Sequence, residues 1–373
     1  MAAWCETPGV IKYGILGVGM MGREHILNLA VVEGAEVVAI ADPFEPSRQA
    51  AVKIANSIQR RHTLQVFEDH KALLDSGGCD VVIVSTPNMT HARILLDILS
   101  HHRTHHVLVE KPLCTTVADC KEVLEAAKSR PDILLQVGLE YRYMPPIARL
   151  IKEVKSGRVG TVKMVAIREH RFPFLVKVHD WNRFNKNSGG TLVEKCCHFF
   201  DLMNLIIGSQ PVRVMASGGQ DVNHLDEAYD GKVPDIIDNA YVIVDYSSGA
   251  RSMLDLCMFA EGGQNEQEIC VTGNAGKVEA FVPDNTVRIG SRSGGRQNVE
   301  TIKVFNSRVR YEGLHHGSSY LEHLEFLAAI KSHGKKPPAV SLDDGLLSVA
   351  IGVAAQKSIE LGRAVSMEEI KVF

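Results

Sequence analysis

Apolar and polar positions keep one rhythm up to Gly138 and another beyond it. In the first stretch, short β-branched runs flanked by turn residues alternate with longer amphipathic segments. This pattern predicts strands at 13–16, 36–41, 65–67, 80–85, 106–109 and 134–137, with helices between them, 91–99 and 117–128 among them. Strand and helix in alternation build a doubly wound parallel sheet, and six strands match two mononucleotide-binding halves.

Beyond Gly138, a helical segment (147–155) ends at Gly157, and a long alternating run (159–171) reads as a strand. Residues 172–187 read as a loop. Gly189-Gly190 then opens an apolar helix that stops at Gly208. Strand-like runs at 212–217, 240–246, 251–258, 269–272, 278–281 and 286–289 follow, separated by turns such as Ser247-Ser248-Gly249. Consecutive strands joined by short turns predict a mainly antiparallel sheet. Residues 290–298, rich in Gly, Ser and Arg, read as a mobile loop, and helices at 319–332 and 342–361 close the chain. The change of rhythm divides the α/β chain into a dinucleotide-binding domain, 1–138, and a second domain, 139–373.

Length and charge narrow the function. A chain of 373 residues suits about two domains. The formal charge is −3 with no long basic run, so neither nucleic acid nor an anionic membrane is an expected partner. No apolar stretch approaches the roughly 20 residues that span a bilayer, and Met1–Gly9 has no leader pattern. The cysteines at 5, 79, 114, 120, 196, 197, 257 and 270 form no Cys-x-x-Cys and sit mostly in apolar runs. They read as reduced, mostly buried thiols of a cytoplasmic protein.

The first candidate chemistry lies where the first strand meets its helix. Gly17-Val18-Gly19-Met20-Met21-Gly22 follows an apolar strand and precedes a helix. Gly17 allows the tight turn, Gly19 leaves the backbone open to a pyrophosphate, and Gly22 lets the helix lie close on the sheet. Asp42 ends the second strand twenty residues after Gly22, where a carboxylate accepts the ribose hydroxyls and repels a 2′-phosphate. With Pro43 it favours NAD over NADP, and Arg48, within reach, softens that preference.

Ligands of such sheets sit beyond the strands' carboxyl ends, so residues there are candidates. After the fourth strand come Thr86, Pro87, Asn88 and His91, able to bond a cofactor or simply to cap the next helix. After the fifth come Glu110, Lys111 and Pro112. Lys111 suits a hydrogen bond to a substrate oxygen, or is a turn lysine, and Pro112 allows a cis bond. On the apolar helix Glu194 and His198 are four apart, with Asp201 three further on. A histidine between carboxylates suits proton transfer near neutral pH; equally, it is a core histidine satisfied by Asp201. His101-His102-Arg103-Thr104-His105-His106 reads as a solvated loop, and Cys196-Cys197 do not aim at one ion from a helix, so no metal is expected.

Together these motifs resemble the glucose-fructose oxidoreductase and inositol dehydrogenase family (Gfo/Idh/MocA). The markers are Gly17-x-Gly19-x-x-Gly22, Thr86-Pro87-Asn88 with His91, Glu110-Lys111-Pro112, Trp181 followed by Arg183, Gly189-Gly190-Thr191-Leu192, and Glu194-x-x-x-His198-x-x-Asp201. The resemblance implies a Rossmann domain followed by an open-faced α/β domain, assembled as a homodimer or homotetramer through that open sheet. It also implies a catalytic set of Lys111, Glu194 and His198. Many relatives carry Asp-x-Gly-x-His where this chain has Glu194-Lys195-Cys196-Cys197-His198. The acid reaches one methylene further, and Lys195 adds a cation on the neighbouring face.

The resulting expectation is an NAD-dependent dehydrogenase acting on a ring secondary alcohol of a sugar, polyol or glycoside. His198 takes the hydroxyl proton, Glu194 orients it, and Lys111 bonds the reacting oxygen. Tyr141, Arg142, Arg168, His170, His179, Asp180 and His316 are candidates for holding substrate hydroxyls. Two other readings share these residues: a non-catalytic nucleotide-sensing protein, and a redox-neutral sugar-modifying enzyme that retains NAD.

Overall fold

The computed structural model describes residues 9–58 and 62–372. Cys5, with the rest of residues 1–8 on which the expectation about a leader falls, lies outside the described residues. The chain divides into two compact units. The first comprises Met1–Glu140, Lys177–His179 and Arg308–Leu346, and the second Tyr141–Val176, Asp180–Ser307 and Leu347–Phe373.

In the first unit, strand and helix alternate as the pattern requires. The elements are β1 (Ile11–Leu16), α1 (Met20–Ala30), β2 (Ala35–Ala41), α2 (Glu45–Asn56), β3 (Gln65–Phe67), α3 (His70–Ser76), β4 (Val81–Val84), α4 (His91–Ser100), β5 (His106–Glu110), α5 (Val117–Lys128) and β6 (Leu135–Gly138). The strands form one sheet in the order β3-β2-β1-β4-β5-β6, parallel throughout. β4 is apolar and wholly buried because helices cover both sheet faces. The strand order reverses between β1 and β4, which opens the crevice that binds ligands in such sheets.

The second unit starts with α6 (Pro145–Lys155) and β7 (Val162–His170), then runs through α7 (Asn185–Ser188), α8 (Thr191–Glu194) and α9 (Cys197–Ile207). The strands β8 (Pro211–Gly219), β9 (Asn239–Tyr246), β10 (Arg251–Cys257), β11 (Gln267–Gly273), β12 (Gly276–Val282), β13 (Thr286–Ser291) and β14 (Val299–Lys303) follow. After them α10 (Ser318–Lys331) lies against α1 in the first unit, and α11 (Leu342–Leu361) and β15 (Val365–Ser366) end the chain. The sheet order is β14-β13-β12-β11-β7-β10-β9-β8-β15. It is antiparallel except where β7 meets β10. Its strands bury Val165, Ile167, Val242, Val244 and Leu254 on the face that α9 covers, while Met164, Met215, Tyr241 and Ile243 on the other face stand exposed.

Three sequence expectations need correction. The helix predicted from Gly190 to Gly208 is broken at Lys195 and Cys196. There the backbone flattens, and the N–H groups of Phe199 and Phe200 both turn to the Cys196 carbonyl, restarting the ladder. The 290–298 segment is not wholly loop: it holds the end of β13 and a helical turn, and it leads into β14, whose exposed residues show no buried face. The 172–187 loop contains a helical turn at Val178–Arg183 as well as α7.

α11 crosses α8 closely enough that a Cβ on Gly352 would sit 2.5 Å from the Leu192 carbonyl oxygen. Overpacking of this kind costs about 1–3 kcal/mol, against about 1 kcal/mol of gained helix propensity. Gly352→Ala is therefore expected to lower the urea midpoint of unfolding. A midpoint equal to or above that of the parent protein refutes the close crossing.

Candidate active site

The glycine turn of the first unit meets its steric requirements. Gly17 has φ +82° and packs where a Cβ would lie 2.7 Å from the Ser85 carbonyl oxygen. A Cβ on Gly22 would overlap the Gly17 carbonyl oxygen, whereas one on Gly19 would meet nothing within 4 Å. The space in front of Gly19 is thus open, at the start of a helix that has no side-chain cap and no acid in its first turn. That combination suits an anionic diphosphate. Met20 and Met21 are half-buried beside it.

Asp42 lies at the tip of β2, 9% exposed. Its carboxylate accepts from Val18 N–H and Phe44 N–H, both at 2.8 Å. Each oxygen keeps a second lone pair, so the group still suits ribose hydroxyls. Arg48 does not aim at that place. Its guanidinium donates to the carbonyls of Asp42 and Pro43 and to Glu68, because α2 points it back along the chain. Together the open turn and the acid fit a dinucleotide.

The residues after β4 and β5 sort into linings and braces. Thr86 and Pro87 are half-buried and Asn88 is buried. His91 is wholly buried, and its ring nitrogens face the carbonyls of Pro112 and Thr86 at 2.9 and 3.0 Å. Burial pushes its imidazole below the usual value although both carbonyls oppose this. His91 therefore ties two loops together and does not line the crevice, a correction to its reading as a cofactor ligand.

Glu110 is braced as well. It is buried, with His25 Nε2 donating to Oε1 at 2.9 Å and the Lys111 N–H donating to Oε2 at 3.2 Å. Burial works against its ionisation, but the His25 hydrogen bond and the neighbouring charges outweigh it and hold the carboxyl below its usual range. His25 Nδ1 lies 2.9 Å from His323 Nε2 on α10. Burial and His25 press the His323 imidazole well below its usual value. Lys111 follows, half-buried, and the Lys111–Pro112 bond is cis.

In the second unit, Glu194 ends α8 and His198 lies in the first turn of α9, both buried. His198 stacks flat on Tyr141, with ring centroids 4.0 Å apart and planes within 8°. Arg142 spans both carboxylate oxygens of Asp201, through Nε at 2.6 Å and through Nη2. Two residues outside the expected set complete the cluster. Lys195 is buried, pairs with Glu169 at 2.8 Å and donates to the Tyr141 hydroxyl at 2.7 Å. Glu169 had one available signal: its parity on β7 matches Val165 and Ile167, so it belongs to the covered face.

The remaining candidates fall elsewhere. Tyr141 is buried beneath His198 and does not reach out to substrate. Arg168 is exposed on the opposite face of the sheet from Glu169, paired with Glu268 at 3.0 Å, and His170 shares that face, bound to Asp255 at 3.0 Å. Neither faces His198, since successive strand residues alternate. In the first unit, the ring of His179 meets that of Phe44 edge-on at 5.1 Å, two residues past Asp42. Asp180 and His316, like His179, have positive φ, and both are half-buried. The histidine-rich stretch is not wholly solvated: His105 is buried against the Cys79 carbonyl. Among the described residues no helix is long and apolar enough to cross a membrane.

Comparison with known proteins identifies the family and agrees with the fold. The family model described as "Oxidoreductase family, NAD-binding Rossmann fold" matches residues 11–139. That described as "Oxidoreductase family, C-terminal alpha/beta domain" matches residues 151–367. The myo-inositol 2-dehydrogenase of Thermotoga maritima is 30% identical over 364 residues, 96% of this chain and 99% of that one. The crystal structure of a probable dehydrogenase from Thermotoga maritima covers 96% of this chain and 100% of that one, with a TM-score of 0.76 and 28% identity. A levoglucosan dehydrogenase solved with NADH shares the fold, with a TM-score of 0.81 at 20% identity over 96% of this chain and 99% of that one.

The Glu110 pair makes stability depend on pH. The folded carboxyl titrates below its unfolded value, so the pair stabilises above the ordinary carboxylate range, and that stability drains away as pH falls through it. His25→Leu removes the donor and is expected to move the midpoint of acid unfolding, followed by circular dichroism, to higher pH. An unmoved midpoint rules out His25 as the group that holds Glu110 ionised.

Proposed function

As a member of the Gfo/Idh/MocA oxidoreductase family, the chain is an NAD(P)-dependent dehydrogenase, and we propose that it oxidises a ring secondary alcohol of a sugar, polyol or glycoside. NAD, when bound, supplies the hydride acceptor. His198 takes the proton from the substrate hydroxyl as the carbinol C–H bond breaks. Glu194 sets the tautomer and aim of His198, and Lys111 donates to the reacting oxygen and holds its developing charge. The observation that carries this reading is the buried imidazole of His198, held flat on Tyr141 in the first turn of α9. The name of the inositol relative supports a cyclic polyol as substrate.

Asp42 supports NAD over NADP, because its buried carboxylate would face a 2′-phosphate and Arg48 is already engaged. The bare face of the second sheet, with Met164, Met215, Tyr241 and Ile243 exposed, supports association of copies as a homodimer or homotetramer.

A scan at 340 nm with NAD and a panel of polyols and sugars, myo-inositol included, tests the reading. NADH accumulation is expected, and silence across the panel counts against it. His198→Ala is expected to lower turnover about 100- to 10,000-fold with NAD affinity unchanged; equal turnover removes His198 from the mechanism. Asp42→Ser is expected to narrow the gap in kcat/KM between NAD and NADP. A parent enzyme that already prefers NADP overturns the role given to Asp42.

A further inference from the structure

A buried ammonium is costly unless it is fully paired, and Lys195 is 5% exposed. Its charge is met by Glu169, which is wholly buried and 2.8 Å away. The other oxygen of Glu169 accepts from Gln267 Nε2 at 2.7 Å. Gln267 stands directly opposite Glu169 in the β7–β11 register, so the carboxylate is held by two strands of the sheet. From this anchored pair Lys195 donates to the Tyr141 hydroxyl. Phe199 meets the edge of the Tyr141 ring at 5.7 Å and 71°. The ring is thus fixed at its hydroxyl and along one side, and its face lies on His198.

We propose that Lys195 is a positioning residue: anchored on Glu169, it holds the Tyr141 ring flat against His198 and so sets the plane of that imidazole. The stacked face of His198 is closed to substrate, and the ring presents its edge. A buried ion pair adds little stability over an apolar replacement of similar volume, so stability alone does not account for it. Glu169 answers the charge of Lys195 and is also approached by Arg171 at 3.6 Å, and Asp201 answers Arg142; what reaches His198 from Lys195 is the placement of the Tyr141 ring. The consequence for turnover rests on the reading of His198 as acid/base; the geometric claim does not.

The test uses the full-length protein and the variants Lys195→Met, Tyr141→Phe and the double variant. Tyr141→Phe keeps the ring and removes the acceptor. The carbon-bound imidazole protons of His198, identified by their loss in His198→Asn, are expected to shift in both single variants. With myo-inositol and NAD, kcat is expected to fall about 10- to 100-fold in each, with a smaller change in KM. The double variant is expected to be no slower than the slower single one, since both cut one linkage. Unmoved His198 signals in both single variants, or losses that multiply in the double one, overturn the proposal. If Lys195→Met does not fold, Tyr141→Phe decides by the same signals. If the parent protein oxidises no polyol or sugar, the proposed function fails, and the spectra still decide the role of Lys195.

Discussion

A carboxylate withdrawn from water is costly unless donors meet it, and that requirement places the functional side chains of both units. In the first, Asp42 gathers the N–H groups of Val18 and Phe44, which brings the glycine turn and the exit of β2 to one point. Glu110 gathers His25 and the Lys111 N–H, so the strand end that carries Lys111 is fixed to α1. Glu24, also buried, receives the Leu314 N–H and the Tyr311 hydroxyl, which ties the segment before α10 to the same helix. In the second unit, Asp201 takes Arg142, and Glu169 takes Lys195 and Gln267.

Donor type and exposure, more than donor number, distinguish these acids. Asp42 has one backbone donor on each oxygen and stands at the surface of its crevice, so acceptor capacity remains there. Asp201 also has one donor on each oxygen, but both come from a single guanidinium and the site is only 1% exposed, so the group acts as a brace. Glu110 sits between these cases in sequence and in exposure, at 6%, with one donor on each oxygen. It follows a strand into the crevice, yet its oxygens turn back to α1 and to its own chain. Position at a strand's carboxyl end alone leaves open which way an acid's oxygens turn.

The first unit was the more legible in the sequence because its signals are local. The predicted strands fall within two residues of β1–β6 at either end, and the glycine spacing answers to sterics at a single turn. The braces were not legible. His25 and His323 are 298 residues apart and meet once α10 has returned to α1, which no periodicity records. Along the second unit the apolar run from Thr191 to Ile206 fits one helix so well that it hides the break at Lys195. At that break stands a buried lysine paired with a distant acid. β14 and β15 were invisible for a simpler reason: the first has no buried face, and the second is two residues long.

β7 shows how far one register choice reaches. Val165, Ile167 and Glu169 share the face under α9, while Arg168 and His170 share the bare face. A slip of one residue would exchange the two sets completely. It would bring Arg168 beneath α9, place a guanidinium where Lys195 now finds a carboxylate, and leave Ile167 in water. Like charges without a partner inside a protein are far costlier than an exposed apolar side chain. The buried lysine therefore works against the slipped pairing as strongly as the apolar residues do. The constraint that specifies the sheet and the constraint that orders the groups around His198 are, on this strand, the same one.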